Sequence, residues 1–244
     1  MLSQLRRLPL TVIGLLFPAK CASCGAGIRP GKEELPLCPR CRDSLRRNIP
    51  PLCARCGRGF GPGSLPVGIC PACAQNPPHF DRALAPLRYE GAAKALVRDL
   101  KYRQRDYLGS ALSRVMVTYL CEYHTPLDKV DLVIPVPLHP ARLREREFNQ
   151  AQVLARGIAR LLGKKMDARL LARDRNTPTQ TEREKEERRE NVAGAFAVRD
   201  AAGASGSKIL LVDDVLTTGA TCSEAARCLK AAGAAWVMVL TLAN

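Results

Sequence analysis

The chain reads as an α/β protein: a mainly parallel sheet flanked by helices, preceded by a small cysteine-rich module. Two observations predict this. Four C-x-x-C pairs crowd into residues 21–73, and beyond residue 78 apolar strand-like runs alternate with helical patterns. The 244 residues allow one large domain or two modest ones. A composition 46% hydrophobic and 25% charged excludes wholesale disorder. The formal charge of +15 points to anionic partners such as nucleic acid, phosphates or an acidic membrane surface.

Residues 1–18 form the first element. The apolar run 8–17 follows Arg6 and Arg7 but ends in Pro18, Ala19 and Lys20 with no small-residue cleavage pattern. Ten residues are too few to span a membrane. A short helix docking on the body, in a cytoplasmic protein without a transmembrane segment, is the expectation.

Residues 19–76 form the second. The pairs are Cys21/Cys24, Cys38/Cys41, Cys53/Cys56 and Cys70/Cys73, and each cysteine of the repeat 21–41 lies 32 residues before its counterpart in 53–73. Paired thiolates at this spacing bind Zn²⁺ in closed Cys₄ shells, which leave no open position and are structural. Such short segments draw much of their folding free energy from the metal. A disulfide framework is the competing reading and requires an oxidising compartment. The repeat favours one zinc per unit over a cross-braced pair, although spacing alone leaves connectivity open. Cys121, Cys222 and Cys228 fall outside the pattern and are expected to be buried small hydrophobes.

Residues 79–244 form the third. Strands are expected at 82–89, 131–136, 166–173, 208–213 and 235–242, with helices at 91–102, 107–122, 149–162 and 223–232. Strands separated by helices of this length imply crossovers and a parallel sheet. The stretch 175–191 is densely charged with almost no apolar face, which reads as a solvated loop.

The most informative segment starts at Ile209. Four apolar residues deliver Asp213 and Asp214, two spacers (Val215 and Leu216) follow, and then come Thr217, Thr218, Gly219, Ala220 and Thr221. A turn leading into a helix N-terminus aims backbone N–H groups at one point, and the threonine hydroxyls add donors. The pattern is a phosphate cradle. Carboxylates beside it suit hydroxyls, directly or through Mg²⁺. The implied ligand is a sugar phosphate in the crevice beyond the strand ends.

This segment resembles the 5-phosphoribosyl-1-pyrophosphate (PRPP) motif of type I phosphoribosyltransferases. The whole chain resembles the ComF family, a double zinc ribbon ahead of a phosphoribosyltransferase domain. Further matching segments are Val136-Pro137-Leu138-His139-Pro140 with Arg142, Leu143, Arg144 and Arg146, then Phe148-Asn149-Gln150-Ala151, Thr177-Pro178, Gln180, Arg188 to Asn191, and Gly194-Ala195-Phe196. The resemblance implies a type I phosphoribosyltransferase-like sheet. It also implies that Asp213, Asp214 and Arg146 are catalytic, with the Asp213 to Thr221 motif binding PRPP. Pro137, Leu138, His139, Arg142, Arg144 and Arg146 would form the pyrophosphate loop, where arginines suit a bidentate clamp. Thr177, Gln180, Arg188 and Asn191 would belong to a flexible loop. The implied cofactors are one or two structural Zn²⁺, and Mg²⁺ with PRPP.

Three positions depart from the family pattern: Thr217 replaces a carboxylate base found in some branches, Glu147 the usual glycine, and Arg183 a leucine. The resemblance implies a pentosyltransferase with a link to DNA uptake in natural competence. A second reading is a non-catalytic accessory protein that handles single-stranded DNA through the basic zinc region and uses PRPP as a signal. Residues 20–73 carry nine Lys/Arg against three Asp/Glu. The scarcity of aromatics (five Tyr, five Phe, one Trp) argues against base stacking and for attraction to phosphates. Competence or DNA-processing proteins are partners this reading would require.

Overall fold

The computed structural model describes residues 19–28, 35–60, 68–102, 106–175 and 192–244. The expected N-terminal helix and the loop positions Thr177, Gln180, Arg188 and Asn191 lie outside them.

The five-stranded sheet has the order β3-β9-β8-β4-β5, counting β1 as Ala19–Lys20 and β2 as Gly27–Ile28, with β3 Arg82–Leu84, β4 Leu132–Pro135, β5 Lys165–Met166, β8 Lys208–Val215 and β9 Trp236–Ala243. Every pair in it is parallel. The central strand β8 is apolar from Ile209 to Val212 and fully buried there, as a strand covered on both faces must be. Its alternation divides the core. Leu210 and Val212 join the cluster under helices α3 (Gly91–Tyr102), α4 (Asp106–Glu122) and α6 (Gln150–Leu162). Ile209 and Leu211 join the cluster under α8 (Ala220–Ala231), which also receives the antiparallel hairpin β6 (Leu171–Arg173) and β7 (Phe196–Val198).

Two expectations change here, and one helix is added. Residues 166–173 form no single strand, because Asp167 Oδ1 accepts from the N–H groups of Arg169 and Leu170 and turns the chain out of the sheet after β5. The strand expected at 82–89 is interrupted after Leu84, where Pro86 lacks the donor that would continue it, and its pairing with β9 resumes at Leu87, whose N–H donates to Leu242 O. Helix α5 (Pro140–Arg146) follows β4 without having been read from the sequence, although His139 and Pro140 are a cap and a first-turn proline.

The cysteine module is a structural repeat as well as a sequence repeat. Cys21 N–H donates to Ala26 O and Gly25 N–H to Cys21 O, just as Cys53 donates to Arg58 and Gly57 to Cys53. Helices α1 (Pro39–Asp43) and α2 (Pro71–Gln75) start after Cys38 and Cys70, each with proline in the first turn. A fourth short helix, α7 (Ala201–Ala204), is capped by Asp200. Cys222 is buried as expected, but Cys228 is only half-buried and Cys121 is exposed, because Tyr119 and Leu120 take the inward face of α4.

Candidate functional site

The zinc ligands separate by repeat. Sulfurs of Cys21, Cys24, Cys38 and Cys41 lie within 4.8 Å of one another, and so do those of Cys53, Cys56, Cys70 and Cys73. The Cys24–Cys38 and Cys56–Cys70 sulfur pairs are 3.7 and 3.8 Å apart. A tetrahedral S₄ shell with bonds of about 2.3 Å has edges of about 3.8 Å, so both groups fit structural zinc. Burial opposes ionisation of Cys21, yet the N–H groups of Cys24, Cys38 and Ser23 outweigh it and pull the thiol down to about 6. Cys53 falls to about 7 by the same balance, with N–H groups from Cys70, Cys56 and Arg55. Burial and its neighbouring sulfurs push Cys56 up to about 11. Four thiolates this close need a cation between them.

The phosphate-loop motif sits at the C-terminal end of β8. The same alternation that divides the core starts the two side chains toward different helices, yet their carboxyl groups stay close together at the strand end. Asp214, buried, turns toward α3 and meets Lys101 Nζ at 2.7 Å. Asp213 turns toward α8, where the Cys222 thiol lies 3.8 Å from its Oδ2. Asp213 is partly open at its edge, but its carboxyl is desolvated and close to Asp214, and burial first, then that negative neighbour, hold it well above the usual carboxylate range. Lys101 is held above its ordinary value: burial opposes this, but Asp214 and Asp213 prevail. Val215 and Leu216 carry the chain out of the sheet, and Leu216 N–H returns to Ala243 O. Gly219 caps α8 at φ +80°, a left-handed conformation that a side chain would strain. Thr218 Oγ1 accepts from Ala220 N–H, and Thr217 and Thr221 flank this turn.

The basic loop after β4 approaches from the neighbouring strand. Pro137 and Leu138 lead to His139, whose Nδ1 accepts from Ala141 N–H and starts α5, the helix that carries Arg142, Arg144 and Arg146. Asn149 closes the loop by donating to Val136 O and capping α6 through Ala151 N–H. Arg146 reaches Gln150 Oε1 at 3.4 Å. Glu147 stands at φ +65° at the end of α5. This conformation explains the glycine of the family pattern, and a residue with a Cβ is strained there by about 1 kcal/mol.

Two side chains near the acidic pair belong to no local motif. Lys101 ends α3, and Arg173 on β6 lies over the Phe196 ring at 5.5 Å, with Asp213 and Arg142 as its charged neighbours. Burial lowers the Arg173 pKa. Only the crossing of α3 and the β6–β7 hairpin over the sheet brings them here. A third, Arg58 of the second zinc repeat, donates from Nη2 to Thr217 O at 2.9 Å. Acids at the end of a parallel strand, a helix N-terminus beside them and arginines from the next loop can together hold a phosphorylated sugar and a second anionic group.

Comparison with known proteins fits this arrangement. Residues 12–74 match the double zinc ribbon domain and residues 149–244 the phosphoribosyl transferase domain. Zinc ribbon followed by phosphoribosyltransferase domain is therefore the class of protein. The chain is 34% identical over 170 residues to the DNA utilization protein YhgH of Escherichia coli O157:H7, covering 69% of this chain and 74% of that one. It is 26% identical over 170 residues to competence protein F of Haemophilus influenzae (68% and 74%), and 38% identical over 108 residues to competence protein ComFC of Bacillus subtilis (44% and 42%). The chain belongs to the ComF family. Among solved structures, the glutamine PRPP amidotransferase from B. subtilis complexed with ADP and GMP is similar at 20% identity and a TM-score of 0.40, over 59% of this chain and 30% of that one. No described helix is long and apolar enough to cross a membrane.

Proposed function

We propose that the protein binds PRPP with Mg²⁺ at the end of β8 and transfers or senses its phosphoribosyl group. One observation carries this reading: Asp213 and Asp214 stand beside the N-terminus of α8 while α5 brings arginines from the adjacent strand. Asp213 and Asp214 would orient the ribose 2′- and 3′-hydroxyls, and the 217–221 turn would hold the 5′-phosphate. Bound with PRPP, Mg²⁺ would supply charge neutralisation at the pyrophosphate. When the bond between ribose C1 and pyrophosphate breaks, its electron pair leaves with the pyrophosphate, and C1 becomes electron-poor, as in glycoside hydrolysis. Arg142, Arg144, Arg146 and Arg173 would stabilise the departing charge. Thr217 is no base, so the acceptor must lose its proton elsewhere.

The first test is thermal unfolding with PRPP and Mg²⁺. A stabilisation is expected in the parent protein and none in the Asp213→Asn, Asp214→Asn double variant; a shift that survives in the variant rejects the assignment. Pyrophosphate release with a panel of bases, orotate and amines then separates transferase from sensor.

A second reading has its own support. Beside the first zinc repeat a groove of about 560 Å³ is lined by Ser23, Tyr89, Lys94, Arg98 and Lys101, with the Lys94 ammonium 5.5 Å from the Tyr89 ring centroid. Together with the relatives named for DNA utilization and competence, this supports contact with single-stranded DNA. The logarithm of its affinity should fall linearly with the logarithm of salt concentration, and an affinity indifferent to salt removes this reading.

A further inference from the structure

Between the phosphate loop and the second zinc repeat lies a cavity of about 310 Å³. Thr217, Thr218 and Gly219 form one wall, and Arg58 and Asn76 part of the other. The turn from Leu216 to Thr221 contains no lysine or arginine. A phosphate held by it alone would have only N–H groups, hydroxyls and the helix dipole to balance its charge. Arg58 supplies a full cation at that place. Its guanidinium has five N–H donors in a planar fork, and the bond to Thr217 O uses one of them.

The zinc repeat itself does not require this arginine. Arg58 O accepts from Cys53 N–H at 2.9 Å, and the equivalent bond in the first repeat, Cys21 N–H to Ala26 O at 2.8 Å, is made by an alanine. The knuckle needs the backbone at this position and is indifferent to the side chain. The carboxylate in the same cavity, Glu224, is already occupied. It accepts from Arg227 Nε at 2.8 Å, Arg227 Nη2 at 2.7 Å and Gly194 N–H at 2.7 Å, so its charge is matched.

We infer that Arg58, carried on the second zinc repeat, is a phosphate-binding residue of the phosphoribosyl site, and that the zinc module completes the site. The inference rests on the sugar-phosphate reading above. It gives the second repeat a role beyond stability: the metal fixes the knuckle, the knuckle fixes Arg58, and Arg58 grips both the loop and its ligand.

The test measures binding of PRPP, ribose 5-phosphate and pyrophosphate, all with Mg²⁺, to the full zinc-loaded chain and to Arg58→Gln and Arg58→Lys, with zinc content measured in each. Arg58→Gln is expected to weaken ribose 5-phosphate and PRPP by about tenfold or more and to leave pyrophosphate within about twofold, with both zinc ions retained. Arg58→Lys should fall between the two, since a lysine restores the charge without the fork. Unchanged ribose 5-phosphate affinity in Arg58→Gln overturns the inference. So does an equal loss for all three ligands, which marks a merely structural role. Should Arg58→Gln lose zinc, Arg58→Lys decides: weaker ribose 5-phosphate binding with pyrophosphate binding intact supports the role, and unchanged binding rejects it. A parent protein that binds neither PRPP nor ribose 5-phosphate refutes the sugar-phosphate reading itself, and the inference falls with it.

Discussion

The two zinc repeats share cysteine spacing and backbone hydrogen bonds but are docked differently. From the first, Cys21 and Leu37 enter the core cluster of α3, α4 and α6, the cluster that also holds the apolar side of the helix delivering Lys101 to Asp214. The second is held by directed bonds. Arg55 O accepts from Ala83 N–H at 2.6 Å, Cys56 O accepts from Asn244 Nδ2 at 3.2 Å, and Arg58 reaches Thr217. Cys56 itself packs against the α8 cluster. One repeat therefore backs the helical face of the site and the other grips its phosphate loop. A metal ribbon becomes functional through what its non-ligand positions touch.

Breaking each repeat separately gives the largest expected effect. Structural zinc sites of this kind contribute apparent binding free energies of about 10–16 kcal/mol, so losing either metal unfolds its own repeat. Cys53→Ser with Cys56→Ser should lose one zinc and with it the PRPP-induced thermal shift. Cys21→Ser with Cys24→Ser should lose one zinc, lower the melting temperature and keep a measurable shift. Zinc release titration alongside thermal unfolding checks both. Equal loss of the ligand response in the two variants would erase the functional distinction between the repeats.

Much of this asymmetry was hidden in the sequence for physical reasons. The strand Lys208–Val215 and the paired acids were legible because each is a local pattern; the cysteine spacing marked the zinc ligands, and their grouping by repeat, which spacing left open, is fixed by the fold. Lys101, Arg173 and Arg58 were not. Each comes from a different element, 40 to 160 residues from the motif it meets, and sits in a segment whose local pattern carries no chemistry. The split of residues 166–173 was missed because Asp167 ends the strand through a side-chain bond that propensity does not register. Glu147 is the intermediate case. Its departure from glycine was visible in the sequence, and the backbone at φ +65° gives that departure a physical cost.

Matched glycines sharpen the contrast between the repeats. Gly25 and Gly57 occupy equivalent positions with φ of +76° and +66°. A Cβ at Gly25 meets nothing within 4 Å, whereas at Gly57 it would lie 2.3 Å from Ala83 O on β3. Gly25→Ala should therefore cost only the left-handed strain, about 1 kcal/mol. Gly57→Ala should add a backbone clash and cost roughly 3 kcal/mol or more. Denaturant unfolding measures both, and similar costs would mean that the second repeat is not seated on β3.

The acidic pair carries the comparison to its smallest expected effect. Asp214, on the α3 side, meets Lys101 at 2.7 Å; Asp213, beside the Cys222 thiol of α8, is held above the usual carboxylate range by burial first and by Asp214 second, with the Lys101 charge only partly opposing them. A carboxyl whose folded pKa exceeds its unfolded value binds more protons when folded. Its stabilising contribution is thus fullest below the unfolded value, near 3.8, and declines as pH rises toward the raised value. At neutral pH, Asp213→Asn should stabilise the unliganded protein by about 1 kcal/mol while losing the PRPP response, and the gain should vanish on acidification below about pH 4. Asp214→Asn should do the opposite and destabilise by roughly 1–2 kcal/mol, because it strands the partly buried Lys101 charge. Melting temperatures of the two variants between pH 4 and 8 provide the measurement. If both variants moved in the same direction, the two faces of β8 would not differ electrostatically, and the acids would have to be treated as one shared site.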